Sequence, residues 1–154
     1  MIRPLAPVDA DACDAVVLTL PYHFGHEGGR AECAHAVRTQ DGLVAVEKRE
    51  VVGFLTLERH DPRSAEITWM AVRADRRRHG IGRRLIERAV GDLAREGVEL
   101  LSVLTLAASE PEERDSDNYA DTRAFYRALD FVPLRELSLE SWDDRAVILA
   151  RALR

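Results

Sequence analysis

The chain reads as a mixed α/β domain: one central sheet flanked by helices, in the order β-α-α-β-β-β-α-β-α-β-β. Three stretches predict this. Glu66 to Leu85 begins as an apolar strand with β-branched and aromatic residues, passes through a basic, glycine-containing turn and leaves as a helix. Val98 to Leu106 is almost continuously apolar, as a strand covered on both faces would be. Strand, crossover helix and strand then form a parallel unit. Leu43 to Glu47 and Val51 to Arg59 flank Lys48-Arg49-Glu50, which reads as a hairpin.

The remaining elements follow in order. Met1 to Leu5 is a short strand, stopped near Pro7. Asp9 can cap a helix from Ala10 to Leu20, with Cys13, Val16, Val17 and Leu20 as its apolar stripe and Pro21 as its stop. Pro21 to Gly29 mixes glycines and aromatics and reads as a loop able to close on a ligand. A second helix covers Arg30 to Val37. Gly53 inside its strand marks a bulge or a close backbone approach. His60 to Ser64 is a turn. The helix after the glycine turn repeats Ile81, Leu85, Ala89 and Leu93, widened by Ile86 and Val90, and ends at Gly97. Ala107 to Asn118 is an acidic loop. Tyr119 to Leu129 is a helix, Phe131 to Leu139 a strand, Ser141 to Asp144 a turn and Ala146 to Ala152 the last strand.

Composition narrows the class. The 154 residues suit one domain spanning 1–154, and 46% apolar with 32% charged content is that of a folded globular chain. A net charge of −5 argues against a general nucleic-acid partner. No apolar run reaches membrane-spanning length, and Pro4, Pro7, Asp9 and Asp11 interrupt the region a signal peptide would need. Cys13 and Cys33 define no disulfide framework and read as reduced thiols of a cytoplasmic chain. His23, His26, Cys33 and His35 fit no zinc spacing, so no metal is expected.

The basic turn is a phosphate-binding geometry. The first N–H groups of a helix lack intrahelical partners, and the helix dipole favours an anion there. Gly80 and Gly82 let a phosphate approach the backbone, while Arg77, Arg78, His79, Arg83 and Arg84 add positive charge. A Walker loop would need Gly-Lys-Ser/Thr, which is absent. A dinucleotide fingerprint would need a third glycine where Leu85 stands.

Arg77-Arg78-His79-Gly80-Ile81-Gly82 resembles the Arg/Gln-x-x-Gly-x-Gly/Ala signature of the GNAT superfamily, the GCN5-related N-acetyltransferases. In that family the turn grips the pyrophosphate of acetyl-coenzyme A. Met70-Ala71-Val72 resembles the strand whose backbone meets the pantetheine arm. Thr122 to Phe131 resembles the late helix-strand motif Ala-x-x-Phe/Leu-Tyr-x-x-x-Gly-Phe. With the element order, the resemblance covers essentially the whole chain and implies the GNAT acyl-CoA acyltransferase fold. Asp130 stands where relatives have glycine; Asp tolerates a left-handed backbone, so the turn is expected to survive. Tyr119 stands where many relatives place an asparagine facing the cofactor.

The resemblance implies an N-acetyltransferase with acetyl-CoA as co-substrate. The implied cofactor residues are Met70, Ala71, Val72, Arg77, Arg78, His79, Gly80, Ile81, Gly82, Arg83 and Tyr119. A lysine-type amine has a pKa near ~10.4, so it must lose a proton before attack. Glu66 occupies the position of the catalytic glutamate in the histone-acetyltransferase branch. A carboxylate at the start of a buried strand is also a chemically apt base, its structural alternative being a strand-end glutamate paired with Arg3 or Arg59. A backbone N–H near Ala71 or Val72 would polarise the carbonyl. Tyr126 would give a proton to the departing sulfur, or would simply pack its helix on the sheet. Neither cysteine falls in a motif for a covalent acyl-enzyme, so direct attack in a ternary complex is expected.

The acceptor is read as the primary amine of a small molecule, with a protein amine second. The loop at Tyr22 to Gly29, the acidic loop after Leu106 and the segment around Trp142 would shape its pocket. The other readings are a non-catalytic coenzyme A sensor and a dinucleotide-dependent oxidoreductase. Neither nucleic acid nor membrane is expected as a partner, and a homodimer is left open.

Overall fold

The computed structural model describes residues 1–20, 27–106, 119–139 and 145–153, with the side chains of residues 27, 28, 106 and 119 outside that description. Its elements are β1 (Ile2–Pro4), α1 (Ala10–Leu18), α2 (Glu27–Thr39), β2 (Asp41–Glu47), β3 (Glu50–Asp61), β4 (Ser64–Val72), α3 (Ile81–Arg95), β5 (Leu100–Leu106), α4 (Tyr119–Ala128), β6 (Val132–Ser138) and β7 (Arg145–Ala152). This is the expected order. A mixed sheet of seven strands runs β1-β2-β3-β4-β5-β7-β6. Neighbouring strands are antiparallel except β4 and β5, which are parallel and joined through α3.

The strands β2, β3 and β4 bury residues on both faces because their side chains alternate. Leu55 and Ile67 face Ile81, Leu85, Ile86 and Leu93 of α3, together with Tyr126 and Phe131. Phe54 and Ala71 face Cys13, Val16 and Val17 of α1 and Cys33 and Val37 of α2. The hydrophobic effect on these two apolar layers sets which side each strand residue takes.

Several boundaries moved. α1 stops at Leu18, although Leu20 stays buried beyond it. α2 starts at Glu27, so Gly28 and Gly29 fall in its first turn, outside the helix interior where glycine's backbone entropy is most costly. β3 continues to Asp61, because ladder pairing with β4 wins over the turn expected from His60. The turn is then only Pro62-Arg63, closed by the Arg63 N–H donating to Asp61 Oδ1 at 2.8 Å. β5 is covered unevenly: Leu101, Val103 and Thr105 are buried on one face, while on the other Ser102 and Leu104 are half-buried and Leu100 is 51% exposed.

Three glycine-linked expectations hold. Gly97 ends α3 at φ 89°, and Asp130 takes the left-handed turn at φ 67°. Gly53 lies beside a bulge between β2 and β3, and a Cβ there would sit 3.2 Å from Ile81. The hairpin turn puts Lys48 and Arg49 at φ 49° and 68°, the two positive angles of a turn matched to strand twist.

Asp9 does not cap α1 with its side chain. Its carboxylate instead accepts two hydrogen bonds from Arg3 at 2.8 Å and one from the Ala6 N–H at 2.8 Å. The Arg3 hydrogen bonds hold this buried carboxyl below the ordinary value of 3.8. Its stabilising contribution is therefore full above that value and is lost as pH falls through the lower, folded one. Asp9→Asn is expected to lower stability at neutral pH by about 2 kcal/mol, or roughly 4–8 °C in Tm. The gap to wild type should shrink as pH falls below 3.8, which thermal melts across pH would check.

Candidate active site

The site is built where β4 enters α3. Arg78 and Gly80 both take left-handed backbone, φ 65° and 77°, and turn the chain into the helix. Gly80 is the N-cap residue, and no side chain caps the helix there. Arg84 N–H bonds back to Gly80 O at 3.1 Å, leaving the N–H groups of Ile81, Gly82 and Arg83 as the orphans of the first turn. That turn carries no acidic residue and holds Arg83 and Arg84 instead, the charge opposite to what a helix dipole favours. An anion would satisfy both the amides and the arginines.

The arginines of this region divide by partner. Arg73 pairs with Glu50 and Asp75, and Arg76 with Glu47 at 2.8 Å. Arg78 lies 3.8 Å from Asp121 on α4, both largely exposed. Arg77 and Arg83 are exposed and have no ion pair among the described residues. The His79 ring meets Arg77 O through Nδ1 at 2.8 Å. Gly82 lies under α4: a Cβ there would approach the Phe125 ring to 3.1 Å and Met70 to 3.8 Å. Ile81 itself is buried in the core, so only its backbone can serve a ligand. The Tyr119 side chain lies outside the described residues, as do the loops at 21–26, 107–118 and 140–144 expected around an acceptor.

The strand offers a second feature. β4 and β5 pair from Ser64↔Leu100 to Ile67↔Val103, and among the described residues the ladder stops there. Both strands run on, so Thr68 to Val72 of β4 has an open edge toward β5. The Arg73 N–H bonds to Val52 O at 2.7 Å, and antiparallel alternation then commits Ala71, paired with Phe54, to β3 as well. Met70 and Val72 turn their amides to the open side. Of the three strand residues expected to meet a cofactor, Ala71 thus serves the sheet, while Met70 and Val72 present free backbone.

A bulge sets which face each β4 side chain takes. Thr56 pairs with Trp69 and Leu57 with Ile67, so Thr68 is an extra residue. Its hydroxyl is 2.7 Å from that of the buried Thr56 and donates to Gln40 at the end of α2. The slip places Glu66 on the same face as Trp69 and Ala71, the face of α1 and α2.

Glu66 is the third residue of β4, and its side chain is 19% exposed. Neither expected partner holds it. Arg3 is taken by Asp9, and Arg59 pairs with Glu96. The partner is His60, whose Nε2 lies 2.7 Å from Glu66 Oε1. Glu58 stands directly opposite Glu66 on β3, and the donor atoms of Glu58, His60 and Glu66 all lie within 4.8 Å of one another. His60 was hidden in the sequence because it reads as the first residue of a turn. Its spacing of two from Glu58 places it on this face only once β3 is known to reach Asp61.

Tyr126 packs edge-on against Phe125 and Phe131, with ring centroids 5.2 Å apart in each case. Only 4% of it is exposed, and burial pushes its phenol well above the ordinary range. Among the described residues its hydroxyl makes no hydrogen bond. Cys13 and Cys33 are buried, and burial pushes both thiols up to about 12. At neutral pH neither supplies a thiolate for acyl transfer.

Comparison with known proteins agrees with this geometry. The sequence model of the acetyltransferase (GNAT) domain matches residues 38–133. An uncharacterized N-acetyltransferase of Chlorobaculum tepidum is 40% identical over 67 residues, 44% of this chain and 43% of that protein. The match thus spans less than half the length of that curated relative. A solved structure from Desulfovibrio desulfuricans, assigned to the GNAT family, covers 100% of this chain and 99% of its own with a TM-score of 0.84 at 21% identity. An aminoglycoside 6′-N-acetyltransferase complexed with coenzyme A covers 100% and 97% with a TM-score of 0.76 at 19% identity. At such identities these structures speak for the fold alone. Among the described residues, no helix is long and apolar enough to cross a membrane.

Proposed function

Since the chain belongs to the GNAT acetyltransferase family, we propose that it moves the acetyl group of acetyl-CoA to the primary amine of a small molecule, by direct attack in a ternary complex. The observation that carries this reading is the uncapped, arginine-bearing mouth of α3 beside the open edge of β4. Glu66 lies six residues along β4 from Val72, about 20 Å at strand rise. A donor that serves both ends must be long, with phosphate at one end and its reactive group at the other. Coenzyme A thioesters have that shape.

The chain's residues fall into roles. The Ile81, Gly82 and Arg83 amides, with Arg77, Arg78, His79 and Arg83 around them, take the diphosphate. The amides of Met70 and Val72 follow the pantetheine arm, and one of them polarises the acyl carbonyl. Acetyl-CoA supplies an activated thioester. Glu66 takes the proton of the acceptor ammonium. Tyr126, protonated at every working pH, donates a hydrogen bond to the sulfur as the C–S bond breaks, and the departing thiolate takes up the second proton that the attacking nitrogen loses as the amide forms. The buried, protonated cysteines favour direct attack over a covalent acyl-enzyme. The adjacent carboxylates Glu58 and Glu66 favour a cationic acceptor.

A thiol-release assay with acetyl-CoA against an amine panel tests this reading. We expect coenzyme A to raise Tm and at least one small amine to be turned over. Calorimetry with no association at millimolar coenzyme A would sink the proposal. Binding without turnover of any amine would favour a sensor.

A further inference from the structure

We infer that His60 is the positioning residue of the Glu66 carboxylate: its ring N–H holds one carboxylate oxygen and leaves the other facing the acceptor amine. The inference rests on the proposed reading of Glu66 as the base and names what orients that base.

Three observations carry it. The Nε2 to Oε1 distance is 2.7 Å, a well-formed hydrogen bond. With Glu66 ionised, Nε2 must be the protonated nitrogen, since a carboxylate only accepts. Second, the strand is distorted at this point. The β3–β4 register slips between Arg59↔Ala65 and Asp61↔Ser64, so His60 has no partner residue on β4 and its ring reaches across to Glu66. Third, Glu58 stands directly opposite Glu66. Two carboxylates facing each other across a strand pair repel, so a free Glu66 side chain would rotate away from Glu58. The His60 ring is the donor in that gap, and the three groups lie within 4.8 Å. Glu66 is 19% exposed and His60 50% exposed, so the carboxylate sits deeper and the ring braces it from the solvent side.

The requirement is for a donor at residue 60, not for an imidazole as such. His60→Leu removes the donor; His60→Gln keeps one. Thiol release from acetyl-CoA is read with the fastest amine of the panel and, without an amine, with water as acceptor. His60→Leu is expected to lower kcat about 10–100-fold, the scale of a misplaced reacting group. KM for acetyl-CoA should not move, because the phosphate turn lies at the other end of β4. Tm should not move either, because the ring is half exposed. His60→Gln should recover most of the rate, and adding His60→Leu to Glu66→Gln should cost nothing further.

A slow Glu66→Gln beside a wild-type His60→Leu overturns the inference and leaves the base reading standing. A His60→Gln as slow as His60→Leu also overturns it, since a donor would then not suffice. So does stoichiometric zinc in the wild-type protein that His60→Leu loses, because the ring would then bind metal rather than brace a base. Glu66→Gln at the wild-type rate removes the base reading itself, whatever His60 does.

Discussion

Glu66→Gln is expected to lower kcat at neutral pH by about 10²–10⁴-fold, the usual contribution of a general base. The change is nearly isosteric. The amide oxygen of glutamine still accepts a hydrogen bond, so the contact made by His60 at 2.7 Å survives. What is lost is the ability to take a proton. The expected signature is a fall in kcat with KM for acetyl-CoA and Tm close to wild type. pH adds a second check. Without a base, the reactive species is the fraction of amine already neutral. That fraction rises about tenfold per pH unit below an amine pKa near ~10.4. The variant should therefore climb steeply with pH and approach wild type in alkaline buffer. A variant that matches wild type at pH 7 would mean that water, or a residue outside the described segments, takes the proton.

The second large effect is expected at the helix mouth. Gly80 sits at φ 77°, where a β-branched side chain collides with its own backbone. Gly80→Val should push the turn out of its left-handed state and re-aim the free amides of Ile81, Gly82 and Arg83. We expect coenzyme A affinity to fall at least about 100-fold, or ~2.7 kcal/mol. The accompanying strain should cost only about 1–2 kcal/mol of stability. Gly80→Asn is the control, because asparagine enters this region at small cost. Among the described residues nothing lies within 4 Å of a Cβ placed there, so a loss reports backbone conformation and not crowding. Calorimetry with coenzyme A reads both variants. Undiminished binding by Gly80→Val would remove the turn from the donor site.

Both experiments act on features that differ in how far they could be read from the chain alone. Gly80 was legible, since a strand pattern running into Arg-x-x-Gly-x-Gly and a 3.6-residue apolar repeat is local information. The left-handed turn at Asp130 was legible for the same reason: short polar side chains tolerate it. Asp9 was half legible. Its position suggested a cap, but the nearby Arg3 guanidinium and Ala6 N–H took both carboxylate oxygens. Tyr126 was named, while its burial between Phe125 and Phe131 required the packed core.

From sequence alone came the element order, the basic, glycine-rich turn into α3 and the residue types the proposed chemistry needs. These depend on periodicity and on backbone preferences that act over a few residues. Tertiary structure decided which amides of β4 stay free, which face Glu66 takes and that His60 holds it. Each depends on register: Thr68 and His60 are extra residues in the β3–β4 ladder, and β4 leaves β5 after Ile67. A one-residue slip reverses every side chain beyond it. Where a slip falls is settled by pairing between distant strands and by the layers they bury, which no local pattern records.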